Sequence, residues 1–292
     1  MITTSIRASL VSLLLFINLF ALLLGPFTKF MSNRPIEQKL GYIPSIKLIR
    51  PLCADQRESV AALLVSKVLM YFGGVFEQQE KLVKQPVDYI GMSRILHAAL
   101  KVDPYNMDAY YFAQSFLVWD VKQIKVANDL LDYGMKYRTW DWYLPFFAGF
   151  NSAYFLKDYI SASKYYQRAG ELSGQQLHIS LASRYMQEAG QTDHVIAYLS
   201  TMMQTTNNEV AKRSFRTRLD AMRAVRQIEL ARDQFKTEFN RTPLSVDELL
   251  RANILKSRPN DPYGGVFYLN KDGKVLTTSN FAFGRPISED SK

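Results

Sequence analysis

The chain has 292 residues, of which 48% are hydrophobic, 13% aromatic and 22% charged, and this balance excludes disorder over most of its length. The single cysteine, Cys53, excludes an intrachain disulfide and any metal site built on cysteines. The 36 Lys and Arg against 27 Asp and Glu give a net charge of +9, which fits either a generally basic surface or an affinity for anionic lipid or nucleic acid.

Residues 8–24 carry no charge and predict a helix near the short end of the membrane-spanning range, which is about 20 residues. Arg7 precedes the stretch, and Gly25-Pro26 is expected to end the helix. Because no small-residue cleavage site follows, we interpret residues 1–31 as an uncleaved signal anchor. The alternatives are a cleaved signal peptide and a buried globular helix.

Residues 32–54 contain three prolines and little periodicity, and this pattern is typical of an extended linker. Helical spacing of apolar residues then predicts helices over 55–79 and 87–101. Gly73-Gly74 is expected to interrupt or kink the first of these helices.

Small residues recur every 35 positions further along the chain. One column contains Ala127, Ala162 and Ala197, and a second contains Ala113, Ala148 and Ser183. A fixed period of this length indicates stacked helical hairpins that form a solenoid. The predicted pairs are 106–119 with 121–137, 141–155 with 158–171, and 176–189 with 192–204.

The spacing within the second helices resembles the tetratricopeptide repeat. Ala127 and Gly134 bracket Leu131, and Ala162 and Ala169 bracket Tyr166, while the third copy is degenerate. Small residues at these points let two helices approach closely. The resemblance covers residues 55–205 and implies a TPR-like α-solenoid that binds a protein partner on its concave face; an irregular bundle of hairpins is the alternative.

In such a solenoid, the first helix of each pair lines the concave wall. Polar and aromatic residues of those helices are therefore the candidate partner contacts. They are Tyr110, Gln114, Asn151, Tyr154, Arg184 and Gln187.

Residues 206–240 predict one long helix whose apolar stripe would cap the open end of the solenoid. Its segment 212–236 is rich in basic residues. That composition favours a solvated face, with binding of nucleic acid or an anionic membrane surface as the alternative function.

The C-terminal residues 241–279 change character. Ser245 and Glu248 form a capping-box pattern that begins a short helix. Two strands, Val266–Asn270 and Lys274–Thr278, are predicted to form a hairpin with its turn at Asp272-Gly273. Residues 280–292 are expected to be a polar tail.

This module resembles the C-terminal part of type II secretion pseudopilins. The shared positions are Pro243, Leu249, Leu255, Pro259, Asp261, Pro262, Tyr263, Gly264, Tyr268 and Gly273. The processing signature of those proteins is absent from the N terminus here, so the chain is not expected to be a pilin subunit. The resemblance implies a module outside the cytoplasm that can bind calcium in that family. Here Asp261 and Asp272 are the only acidic residues between Glu248 and Glu289, which is weak support for a calcium site.

The sequence shows no grouping of acid, base or nucleophile residues that is typical of a catalytic site. The three histidines, His97, His178 and His194, form no short ligand pair, and no phosphate-binding loop is present. We therefore predict a protein that is not an enzyme and that has no catalytic, cofactor-binding or metal-binding residues.

The sequence thus predicts a mainly α protein with an N-terminal transmembrane helix, a TPR-like solenoid, a long capping helix and a small C-terminal β-hairpin. Its predicted role is a scaffold that binds protein partners in a bacterial envelope assembly for secretion, pilus formation or polysaccharide export. Counting positive charges favours a cytoplasmic body, since Lys29, Arg34 and Lys39 follow the apolar stretch. The pseudopilin-like module favours the opposite, and we predict a single-pass inner-membrane protein whose bulk is periplasmic.

Overall fold

The structure is a computed structural model that describes residues 2–32, 40–41, 43–79 and 87–282. Over these residues the protein is mainly helical, with twelve α-helices and one two-stranded antiparallel sheet. The chain divides into two compact units, Met1–Gln123 and Ile124–Lys292. The predicted fold class is therefore confirmed in its helical content and its single small hairpin.

The first unit begins with α1, Ile2–Ser32. Its 20 residues Val11–Phe30 have a mean hydropathy of 2.1 and are fully exposed, so the helix is long and apolar enough to cross a membrane, as a signal sequence also would be. The expectation that Gly25-Pro26 ends this helix is wrong, because α1 continues through Pro26. A proline removes one backbone hydrogen bond, and the turns on either side of it hold the helix.

Four further helices complete the first unit: α2 (Ile46–Leu52), α3 (Arg57–Gln79), α4 (Tyr89–Val102) and α5 (Met107–Trp119). Helix α2 lies within the predicted linker, where Pro44 and Pro51 masked its short apolar pattern. Helix α3 is not interrupted at Gly73-Gly74. The cost of two glycines, about 1 kcal/mol each, is offset by burial of Tyr71 and Val75 on either side.

The second unit contains α6 (Ile124–Met135), α7 (Tyr143–Asn151), α8 (Tyr159–Ser173), α9 (Gln176–Glu188), α10 (Thr192–Thr205), α11 (Glu209–Phe239) and α12 (Val246–Arg251). From α6 to α11, each helix packs on the next one along the chain. A π-helical turn, Ser152–Leu156, extends α7 and ends at Lys157, whose backbone is left-handed with φ 55°. Consecutive helical hairpins therefore form the body of this unit.

The small residues of the two columns with a 35-residue period are all buried except Ala197. Ala148, Ala162 and Ser183 are buried, whereas Ala197 is exposed and Val195 is buried in its place. The step from Ala162 to Val195 is 33 residues. The π-helical turn before α8 explains part of the difference, because a π turn holds more residues than an α turn and α10 has no such turn before it.

The long helix α11 packs on α10, and its Phe215, Leu219 and Met222 are buried in the core of the second unit. Ser245 begins α12 by accepting a hydrogen bond from Glu248 N. The hairpin pairs β1 (Phe267–Leu269) with β2 (Val275–Thr277), and Gly273 supplies the positive φ of its turn. Phe281 is buried, so the polar tail does not begin at residue 280, and residues 283–292 of that predicted tail lie outside the described residues.

Candidate partner-binding surface

The six predicted contact residues are not all on the surface. Four are buried: Tyr110, Gln114, Asn151 and Gln187. Tyr110 and Gln114 belong to the first unit and the other four to the second. Because a buried side chain offers a partner almost no area, Tyr154 and Arg184 are the predicted contacts that remain accessible.

Two of the buried residues have structural partners. Tyr110 donates a hydrogen bond from its hydroxyl to Pro104 O at 3.0 Å, across the α4–α5 turn. Asn151 donates through Nδ2 to Asn128 Oδ1 at 2.9 Å, and Asn128 donates in turn to Ser152 Oγ at 3.1 Å. This amide network joins α6 to the end of α7, so Asn151 positions a helix pair.

Tyr154 lies in an aromatic cluster where α7 passes into α8. Its ring stacks on Phe150 with centroids 5.5 Å apart and meets Phe155 edge to face at 4.9 Å. Lys157 Nζ lies 5.3 Å from the centroid of the same ring. Tyr154 is 57% exposed, so this end of the hairpin presents an aromatic face beside a cation.

A second pair of aromatic rings with a neighbouring cation lies between α8 and α9. Tyr185 stacks against Tyr159 of α8 at 5.8 Å, and the Arg184 guanidinium lies 5.6 Å from the Tyr185 ring. Burial raises the pKa of Tyr185, which keeps its hydroxyl protonated at neutral pH. We call the residues Phe150, Tyr154, Phe155, Lys157, Tyr159, Arg184 and Tyr185 the turn cluster.

Sequence reasoning found Tyr154 and Arg184 but missed the other members as a group. The aromatic residues were visible in the sequence at helical spacing, which is as typical of a core as of a surface. The π-helical turn that brings Lys157 over Tyr154 leaves no recognisable sequence pattern, since it differs from an α turn only in its hydrogen bonds.

A groove of about 430 Å³ lies on the α8–α10 side of the second unit. Lys164, Gln167, His194 and Tyr198 line its walls. The Tyr198 hydroxyl is buried and has no hydrogen-bond partner among the described residues. A Cβ on Gly170 would come within 2.6 Å of that hydroxyl. Glycine at position 170 therefore lets the Tyr198 side chain pack closely against α8.

The basic face of α11 is partly neutralised. Arg226 pairs with Asp193 at 2.7 Å, Arg223 with Asp220 at 3.4 Å, and Arg232 with Asp233 at 2.8 Å. Arg218, which belongs to the basic segment 212–236 that was expected to form a solvated face, is buried. It donates to Ser183 Oγ and to Phe281 O, each at 3.2 Å, and so links α11 to α9 and to the C-terminal module.

Asp261 is a structural residue of the C-terminal module. It is buried and accepts hydrogen bonds from Ser279 Oγ at 2.6 Å, from Tyr263 N at 2.9 Å and from Thr277 Oγ1. Asp272, the second acidic residue considered for calcium, lies exposed in the hairpin turn. In the part of the chain that the structure describes, no group of three His, Cys, Asp or Glu is placed to hold a metal ion.

The C-terminal module is attached to the helical hairpins at a second point. Lys274 Nζ of the hairpin contacts Glu188 Oε2 at 2.9 Å and Glu188 O at 3.0 Å, at the end of α9. Arg232 of α11 donates to Gly273 O at 2.8 Å. The module therefore packs against both α9 and α11.

Comparison with known proteins adds no family to this description. No protein-family model matches the chain, and no curated protein matches its sequence.

Proposed function

We propose that the protein is a membrane-anchored scaffold of TPR-like helical hairpins that binds a protein partner. The apolar helix α1 would serve as the anchor. The hairpins of the second unit, capped by α11 and the C-terminal module, would provide a rigid support. Rigid helical hairpins favour binding because the surface side chains are held in place before the partner arrives.

The observation that carries this proposal is the turn cluster. Accessible aromatic rings are enriched where proteins bind one another. Here the exposed Tyr154 stands beside Lys157, and the partly buried Tyr185 stands beside Arg184. The complementary partner is a segment with apolar side chains next to Asp or Glu. A carboxylate of that segment would pair with Lys157 or Arg184, while its apolar side chains would cover Tyr154.

The setting of the scaffold is proposed from the sequence alone. The pseudopilin-like pattern of residues 241–279 favours a body outside the cytoplasm, in a bacterial envelope assembly for secretion, pilus formation or polysaccharide export. Attachment of this module to α9 and α11 supports a capping role for it. Binding of nucleic acid or anionic lipid by the 212–236 segment stays an untested alternative.

Site-specific photo-crosslinking in cells tests the proposal. A photoreactive phenylalanine derivative at Tyr154 should give a discrete crosslinked product with a protein partner, and Arg184→Ala should reduce its yield about tenfold. The matched control is the same derivative at Leu177, which is exposed at the other end of α9. Equal products from both positions, or none from Tyr154, would overturn the turn cluster as the binding surface.

A further inference from the structure

Helix α3 has an exposed face with no charged side chain. The face runs over four turns and consists of Ser59, Ala62, Leu63, Ser66, Leu69, Met70 and Gly73. Leu63 is 69% exposed and Met70 78%. A helix whose outer face meets water normally carries charged residues there, so this face is matched to an apolar environment.

The opposite face of α3 already forms the core of the first unit. Val65, Val68 and Tyr71 are buried, and α3 packs on α4. The helix therefore has an apolar buried face and an uncharged exposed face, and Arg57–Val75 has a mean hydropathy of 1.4 with only 28% of its residues buried. An exposed helix face without charged residues is expected in contact with another protein surface or with lipid.

Lipid is the occupant that the rest of the first unit favours. The apolar stretch of α1 belongs to the same unit, and the 13 residues 33–45 between α1 and α2 reach at most about 45 Å. Helix α2 exposes Leu48 and Leu52 beside the cations Lys47 and Arg50. Apolar side chains flanked by Lys and Arg are typical of segments that bind an anionic bilayer surface.

We propose that the exposed face of α3, together with Leu48 and Leu52, lies in the interface of the membrane that α1 crosses. This inference rests on the anchoring role proposed for α1. Helix α3 lies along the surface and does not cross the bilayer, because α4, which packs against it, exposes Arg94 and Lys101. An interfacial helix buries its apolar face about 5–10 Å deep, and this second attachment fixes the orientation of the first unit.

Fluorescence quenching by brominated lipids tests the proposal on the full chain. In a Cys53→Ala background, single cysteines replace Leu63, Met70, Arg94 and Asn18, each labelled with an environment-sensitive dye, and the chain is placed in bilayers with a quarter anionic lipid. Brominated lipid should reduce the emission at positions 18, 63 and 70 by about half and leave position 94 unchanged. Matching circular dichroism spectra show that each variant is folded.

The possible outcomes distinguish a failure of the interfacial role of α3 from a failure of the membrane anchor α1. Quenching at position 18 without quenching at 63 and 70 overturns the interfacial role of α3 and leaves the anchor standing. An absence of quenching at position 18 overturns the anchor itself. A blue-shifted emission at positions 63 and 70 without bromine quenching means that a protein surface covers α3, which also overturns the proposal.

Discussion

At the residue scale, the buried polar side chains of the second unit position helices. His178 is the clearest case, since it is buried, its ring lies 4.8 Å from Trp142 and 5.0 Å from Phe146, and Nδ1 lies 2.7 Å from Ser173 Oγ. Burial lowers the pKa of His178 below its ordinary value of 6.5. The folded protein therefore prefers the neutral ring.

The lowered pKa of His178 predicts loss of stability in mild acid. The unfolded chain binds the proton more readily than the folded one, so the contribution of the neutral ring is complete above pH 6.5 and is lost as pH falls through the lower folded-state pKa. We expect the free energy of unfolding of the second unit to fall between pH 7.5 and pH 5.5 in urea titrations followed by tryptophan fluorescence.

Two glutamine variants make this test specific. His178→Gln should remove most of the pH dependence, because it keeps a hydrogen-bonding group but does not titrate. His194→Gln, at an exposed histidine, should leave the dependence unchanged. A pH profile that is equally steep in His178→Gln and the unmodified protein would contradict the assignment.

At the scale of elements, the C-terminal module depends on one carboxylate. Asp261 holds the turn that carries Tyr263 and the end of β2, through Thr277 and Ser279. The Asp-Pro-aromatic-Gly pattern ends at Gly264, whose φ of 81° favours glycine. A Cβ on the next residue, Gly265, would come within 2.6 Å of Asp261 Oδ2, so glycine is needed there too. The Asp and the Gly of the pattern are therefore explained by turn geometry.

Asp261→Ala should destabilise the second unit by about 2–4 kcal/mol, because three donors, of which Thr277 Oγ1 is buried, lose their acceptor. Asp272→Ala is the matched control, and the change there should stay within about 0.5 kcal/mol because Asp272 is exposed. Urea unfolding measures both changes, and hydrogen exchange in β1 and β2 should rise only in Asp261→Ala. Equal stabilities of the two variants would contradict the role of Asp261.

The sequence predicts the positions of the helices and the hairpin better than it predicts which of their residues are buried. Periodicity locates the helices from α3 to α11, and the Asp-Gly turn locates the hairpin, because these signals are local. It misses α2, whose seven residues are too few for a clear period, and it places Ala197 in a buried column that the π-helical turn displaces. From the sequence alone, Arg218 is predicted to be an exposed cation. Its buried position could not be predicted, because its acceptors Ser183 and Phe281 come from distant segments of the chain.

The candidate site is predicted less completely than the fold. Burial decides which polar residues of a repeat remain accessible, and burial depends on packing that a repeat pattern does not specify. Gln114 and Gln187 are polar residues on first helices, yet both are buried. Tyr154 and Arg184 remain accessible, and their contact with a partner stays a prediction.

At the scale of the whole molecule, the chain combines an apolar N-terminal helix in its first unit with helical hairpins in its second unit. None of the apolar 20 residues of α1 is buried, so in water this surface would promote aggregation. A membrane would bury this surface. The proposed envelope scaffold requires the second unit to lie outside the cytoplasm.

The most direct test is protease accessibility of the second unit in spheroplasts, with an epitope tag appended after Lys292 as the reporter. We expect protease to remove the tag from intact spheroplasts while a cytoplasmic control protein is preserved, and the anchored remainder to stay in the membrane fraction. Protection of the tag until lysis would place the second unit in the cytoplasm and contradict the proposed envelope scaffold.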